Sequence, residues 1–150
     1  MDPVFAPRYS GGAMSDPVQV QGLIEVQQTE IALLLEAGYL YIEMQKWKEA
    51  EEVFSGVAAL VPHSDVPLIS LGNLAFGQGQ YQRALKFHKD AVKKVPDSAL
   101  AHAHQGEALL FLNKRDEAKK MLERAIELDP KGAAADFARS LLDGVAAGVV

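Results

Sequence analysis

The histidines are the first residues of this sequence that could do chemistry. His102 and His104 stand two apart in "AHAHQ", and imidazole is a common metal ligand. On a helix, however, residues two apart point about 200° away from each other, whereas a helical metal pair has i,i+4 spacing. His88 falls at a predicted core position, and His63 stands beside a loop proline. The pattern therefore predicts no metal site.

The other reactive residue types also fail to combine into a catalytic site. Gly72, Gly77 and Gly79 do not form a phosphate loop, because no Lys-Ser or Lys-Thr follows them. The chain has no Cys, which excludes thiolate catalysis, disulfides and Cys-ligated metals. Its Asp and Glu residues are dispersed over predicted helix surfaces. No nucleophile, base and orienting residue can be assembled, so we expect a non-enzyme without cofactors.

The elements that carry these residues repeat along the chain. The same 34-residue interval separates three prolines, three glycines and three alanines, and we treat it as an internal repeat. The three sets are Pro62, Pro96 and Pro130; Gly38, Gly72 and Gly106; and Ala50, Ala84 and Ala118.

Each unit is expected to form two helices. In the first unit these are predicted at about Ile31–Gln45 and Trp47–Leu60. Pro62 ends the second helix, because the residue before a proline is pushed out of the α region. A helical Gly costs about 1 kcal/mol relative to Ala, which suggests the close approach of a second helix. Trp47, the chain's only Trp, shares its register with Tyr81. We therefore interpret it as a packing residue between helices and not as a ligand platform.

This pattern resembles the tetratricopeptide repeat. The residues that carry the resemblance in the first unit are Leu34, Gly38, Tyr41, Trp47, Ala50, Phe54 and Pro62. The second and third units match less fully, with His88 where the family has Phe and Arg115 at the place of Tyr81. The resemblance covers Ile31 to Pro130 and implies an all-α fold, a right-handed superhelical solenoid of three repeats.

Segments at both ends of the repeats are expected to cap the solenoid. Residues 1–14 are predicted to be a flexible leader or a cloning remnant, ahead of a single domain at 15–150. The repeats span about 31–64, 65–98 and 99–132. A capping helix is predicted at about 133–146, because Phe137, Leu141 and Val145 fall on one face. Ser15, Asp16 and Pro17 resemble a helix N-cap and first turn, which predicts a further N-terminal helix.

Composition limits the choice of partners. A net charge of −5 argues against nucleic acid, and no apolar run approaches the roughly 18 residues needed to span a membrane. We expect a cytoplasmic protein without membrane insertion. The apolar tail "GVAAGVV" and the N-terminal segment leave a homodimer open.

The family resemblance also implies a binding surface, a concave groove lined by the first helix of each repeat. Its positions are mostly apolar here, which favours an extended apolar segment of a client protein or peptide. The predicted groove residues are Leu35, Tyr39, Ile42, Ile69, Asn73, Phe76, Ala103, Glu107, Leu110 and Phe111.

One client class of the family is disfavoured. Members that bind acidic chaperone tails clamp a carboxylate with Lys, Arg and Asn. At the matching places this chain has Leu35, Tyr39, Ser70, Asn73, Leu100 and His104, of which only Asn73 fits.

Three functional readings remain, of which one, an enzyme with this repeat array as its regulatory part, has no catalytic domain in this sequence to support it. Three repeats with a helix at each end resemble the type III secretion chaperones that hold translocator subunits. This resemblance implies a groove that keeps a client unfolded before export. The alternative is a scaffold or assembly factor of a secretion or pilus machine.

Overall fold

The 34-residue period corresponds to pairs of antiparallel helices. The computed structural model describes residues 17–20 and 24–150, and within them three helix pairs and one further helix follow a short β-hairpin. The helices are α1 (Gln28–Glu43), α2 (Trp47–Leu60), α3 (Val66–Gly77), α4 (Tyr81–Lys94), α5 (Ala99–Phe111), α6 (Arg115–Leu128) and α7 (Ala133–Ala146).

The turn inside each pair depends on one residue in the left-handed conformation. Gln45, Gly79 and Asn113 occupy this position with φ of 58°, 75° and 61°, again 34 residues apart. In the first pair, the N–H of the following residue, Lys46, donates to the carbonyl of Tyr41 at 2.8 Å, and equivalent bonds close the other two turns. This Schellman-type bond satisfies a carbonyl at the end of the first helix and reverses the chain.

The prolines mark the ends of the second helices, as the sequence predicts. These helices end at Leu60, Lys94 and Leu128, two residues before each proline. The second helix of the first repeat has the predicted bounds, and so has the capping helix α7. The first helix begins three residues earlier than predicted and ends at Glu43, because Gln45 leaves the helical region.

The three glycines that recur every 34 residues lie where the two helices of each pair approach each other most closely. A Cβ added to Gly38 would lie 2.7 Å from Cζ of Phe54. At Gly72 the neighbour is the His88 ring, and at Gly106 it is the Leu122 side chain. In all three cases the contacted residue lies 16 positions later and is fully buried. The predicted reason for a glycine inside each first helix is therefore confirmed.

The paired helices assemble into two layers. The first helices, α1, α3 and α5, pack against one another in sequence, and α7 packs against both α5 and α6. The apolar core runs along the stack, from a cluster around Phe54 and Val57 to one around Leu109 and Leu122. Trp47 is half-buried in the first cluster, which confirms its predicted packing role. The resulting fold is an all-α solenoid.

The N-terminal segment differs from the prediction. Instead of a helix, strands β1 (Pro17–Val20) and β2 (Ile24–Gln27) pair in antiparallel register, with Pro17 opposite Gln27. The sequences "PVQV" and "IEVQ" alternate apolar and polar residues, a period that favours strands over helices. The hairpin lies beside α1 and α2. The predicted leader, 1–14, lies outside the described residues.

Replacing Gly72 with Ala tests the close approach. We expect Gly72→Ala to lower the free energy of unfolding by about 1–3 kcal/mol, because the added methyl group would collide with the His88 ring. Gly56→Ala is the matched control, since a Cβ there meets nothing within 4 Å and Ala favours the helix by about 1 kcal/mol. Urea unfolding of both variants checks the two signs. Equal stabilisation by both would contradict the packing argument.

Candidate functional site: a concave groove

The described helices form an open cavity of about 500 Å³ on the face built by the first helices. We call this cavity and its walls the concave groove. It is built by α1, α3 and α5, as the resemblance implies, and also by the capping helix α7. The residues that line it are Glu36, Tyr39, Glu43, Val66, Ile69, Ser70, Asn73, Leu100, His104, Ala133 and Phe137.

Polar side chains recur at two positions of the repeat along the first helices. We call each set of residues 34 positions apart a register. One register contains Tyr39, Asn73 and Glu107, all half-buried and all among the predicted groove residues. The other contains Glu36, Ser70 and His104, three residues earlier in each repeat. Positions i and i+3 lie on the same face of a helix, so this second register could have been found from the first.

A short hydrogen-bond chain joins the first two repeats across the groove. The Nδ2 of Asn73 donates to the hydroxyl oxygen of Tyr39 at 2.9 Å. The Tyr39 hydroxyl in turn donates to Oγ of Ser70 at 3.1 Å. The Tyr39 ring also rests against Phe54, with centroids 5.1 Å apart. These bonds fix the Tyr39 ring in place, so α1 presents a rigid aromatic surface to the groove.

A stack of three rings lies on the other side of the groove, and two of them, those of His104 and Phe137, line it. His104 lies between His88, at 5.4 Å between centroids, and Phe137, at 5.0 Å. The Nδ1 of His104 is 3.3 Å from Oε1 of Glu107. This stack connects the capping helix to the core of the second repeat through a residue that lines the groove.

His88 is the innermost ring of this stack. It is fully buried, which confirms its predicted core position, and neither ring nitrogen has a hydrogen-bond partner among the described residues. Burial, and secondarily the charge of His104, hold the pKa of His88 well below its usual value. His88 is therefore neutral at physiological pH and acts as an aromatic core residue at a place where the family has Phe.

Several predicted groove residues are buried, so the prediction that they are exposed is wrong. Leu35 and Ala103 are fully buried, Leu110 is 7% exposed, and none of the three lines the cavity. Ile69 belongs to the register of Leu35 and Ala103 and is only 2% exposed, although it reaches the cavity floor. This register faces inward because successive first helices pack against each other along it. It belongs to the core of the stack.

The remaining predicted residues lie away from the cavity, toward the helix ends. Phe76 and Phe111 are in the last turns of α3 and α5, where both rings contact Tyr81 at centroid distances of 5.0 and 5.2 Å. Ile42 packs with Trp47 in the core of the first repeat. The structure thus brings Tyr39, Ile69 and Asn73 together and separates Phe76 and Phe111 from them. Binding at any of these positions stays a prediction.

Sequence analysis missed the contribution of the capping helix to the groove. Phe137 was expected only to pack α7 against the repeats, yet its ring also closes the groove opposite α1. Its partner His104 was considered as a metal ligand. His102, two residues earlier, instead places Nδ1 2.8 Å from the carbonyl of Ser98, so the two rings point to different neighbours. Among the described residues, no group of three metal-ligating side chains comes together.

Comparison with known proteins identifies the family. Tetratricopeptide repeat profiles match residues 32–64 and 75–142, which together exceed half of the chain. The chain belongs to the tetratricopeptide repeat family. Human tetratricopeptide repeat protein 7A is 31% identical over 114 residues, covering 76% of this chain and 13% of that protein. The chain thus spans only a small part of this curated relative.

Solved structures with peptide ligands share the fold. The first repeat domain of Spaghetti (RPAP3), bound to the HSP90 peptide SRMEEVD, has a TM-score of 0.62 at 25% identity and covers 81% of this chain and 97% of its own. The Yersinia enterocolitica type III secretion chaperone SycD, in complex with a peptide of the translocator YopD, has a TM-score of 0.63 at 21% identity, covering 81% and 90%. Across the part of the chain that the structure describes, every helix is too short or too polar to cross a bilayer.

Substituting His88 tests whether its low pKa makes the fold less stable in acid. The pKa of His88 is lower in the folded chain than in the unfolded one, so the unfolded chain binds the proton first as pH falls. Stability should therefore decrease below about pH 6.5, by up to about 1.4 kcal/mol per pH unit. We expect His88→Phe to remove this contribution and to add about 1–3 kcal/mol at pH 7, since it eliminates two buried unpartnered nitrogens.

Urea unfolding between about pH 5 and pH 8 measures both effects. His63→Gln is the matched control, because it removes an exposed imidazole and leaves the buried ring of His88 in place. An identical pH slope in wild type and His88→Phe would exclude His88 as the source.

Proposed function

We propose that this protein is a non-catalytic secretion chaperone that holds an extended apolar segment of a client protein in its concave groove. The observation that carries the proposal is the cavity of about 500 Å³, in which Ile69, Leu100 and Phe137 form an apolar floor and wall. Tyr39 and Asn73 supply fixed polar atoms at its edge. A preorganised apolar groove lowers the entropic cost of ordering an extended segment.

The similarity to SycD supports this reading at the level of the fold. The SycD structure contains a peptide of a translocator, and the RPAP3 domain contains an HSP90 peptide. Peptide binding is thus common to these two structural neighbours, although their peptide ligands differ. The chaperone role and the extended apolar segment as its ligand are specific to our proposal.

A second surface favours the alternative function, a scaffold or assembly factor. Leu33, Leu40 and Met44 on α1 are 65%, 58% and 58% exposed. Their spacing of seven and four residues places them on one stripe, about a quarter-turn away from Glu36 and Tyr39. An exposed apolar stripe outside the groove is typical of a contact with a folded partner.

Paired variants distinguish the two functions. Leu100→Ser/Phe137→Ser alters the groove, whereas Leu33→Ser/Leu40→Ser alters only the α1 stripe. We expect affinity capture from extracts of the source organism to retain one dominant partner with wild type and the stripe variant, and to lose it with the groove variant. The captured partner, expressed alone, should be insoluble and should become soluble on co-expression with this protein.

The outcomes separate cleanly. Circular dichroism and thermal melting establish that each variant is folded before capture. Loss of the partner only in the stripe variant would support the scaffold function. Retention of the partner in both variants would contradict both the chaperone function of the groove and the scaffold function of the stripe.

A further inference from the structure

The charge of the concave groove constrains its occupant. Two of the lining residues, Glu36 and Glu43, are carboxylates, and no Lys or Arg among the described residues lines the cavity. Both carboxylates are exposed, and neither forms an ion pair with another described residue. The groove therefore presents unneutralised negative charge beside an apolar floor.

The two carboxylates have a defined spacing. Glu36 and Glu43 lie seven residues apart on α1, which is two turns and roughly 10 Å along the helix axis. Tyr39 lies between them on the same face and is held by its hydrogen bond to Ser70. The edge formed by α1 is thus a carboxylate, a fixed aromatic ring and a second carboxylate.

On the opposite side of the groove, none of the described lining residues is a Lys or Arg. Leu100 and Phe137 are apolar, and His104 lies next to a third carboxylate, Glu107, whose side chain is 18% exposed. A cleft lined by one sign of charge beside low-dielectric walls concentrates its field and attracts ligands of opposite charge.

We infer that the groove selects client segments in which apolar residues are combined with Lys or Arg. This inference rests on the proposed function and specifies the class of client. The apolar side chain occupies the floor at Ile69, Leu100 and Phe137, and basic side chains pair with Glu36 and Glu43. A segment in the extended polyproline II conformation has three residues per turn and rises about 3.1 Å per residue, so basic residues three positions apart lie on one side of it, about 9 Å from each other. An acidic segment such as SRMEEVD, the peptide bound by the RPAP3 domain, is disfavoured at this edge.

A random peptide library displayed on phage tests the inference without knowledge of the client. Selection on the 150-residue chain should enrich apolar residues together with Lys or Arg and deplete Asp and Glu. Selection on Glu36→Gln/Glu43→Gln should keep the apolar enrichment and lose the basic one. The matched control is Glu49→Gln/Glu52→Gln, which removes the same charge from exposed positions on α2.

A selected basic peptide, labelled for fluorescence anisotropy, gives the magnitude. We expect Glu36→Gln/Glu43→Gln to weaken its binding roughly three- to tenfold, because exposed ion pairs contribute modestly. The control variant should bind as wild type does, and salt at about 0.5 M should remove the difference between variants.

The failures of the two proposals are distinguishable. Apolar enrichment without basic residues, or basic enrichment that persists in Glu36→Gln/Glu43→Gln, would overturn this inference and leave the groove function standing. Selected peptides that bind Leu100→Ser/Phe137→Ser as tightly as wild type would overturn the proposed function, and this inference with it.

Discussion

The architecture depends on one repeated contact, a glycine in each first helix against a side chain 16 residues later. Gly38, Gly72 and Gly106 bring the paired helices so close that any Cβ would collide with Phe54, His88 or Leu122. Because the same close contact recurs in all three pairs, each pair can stack on the next in a similar way. The line of first helices that forms the groove is a consequence of that regular stacking.

The same contact tolerates three different residues, which shows what it requires. An aromatic ring, an imidazole and a leucine side chain all fill the space above the glycine. Shape is therefore the constraint, and polarity is secondary. The His88 ring meets the shape requirement while leaving two nitrogens buried without partners, a cost that the stack with His104 offsets only in part.

How far the sequence predicts the structure varies with the kind of signal. The helices around Trp47–Leu60 and Ala133–Ala146 were predictable to the residue, since prolines and an apolar face define them locally. The N-terminal helix was wrong because the cap-like Ser15-Asp16-Pro17 outweighed the alternation in "PVQV". Of the predicted groove residues, Tyr39 and Asn73 line the cavity, whereas Leu35 and Ala103 are buried away from it. Their exposure depends on the tilt between neighbouring helices, which no single repeat encodes. Phe137 was missed as a groove residue because the 34-residue spacing of Pro, Gly and Ala ends at Pro130, before α7 begins.

The groove is shared by α1, α3, α5 and α7, so its walls belong to every repeat and to the cap. In a linear stack each repeat contacts only its neighbours, and the ends can open independently of the middle. An occupant that touches both α1 and α7 would connect segments that are otherwise distant along the stack. Amide hydrogen exchange would then slow at both ends together, and a solenoid that frays in the free state would unfold as one unit when loaded.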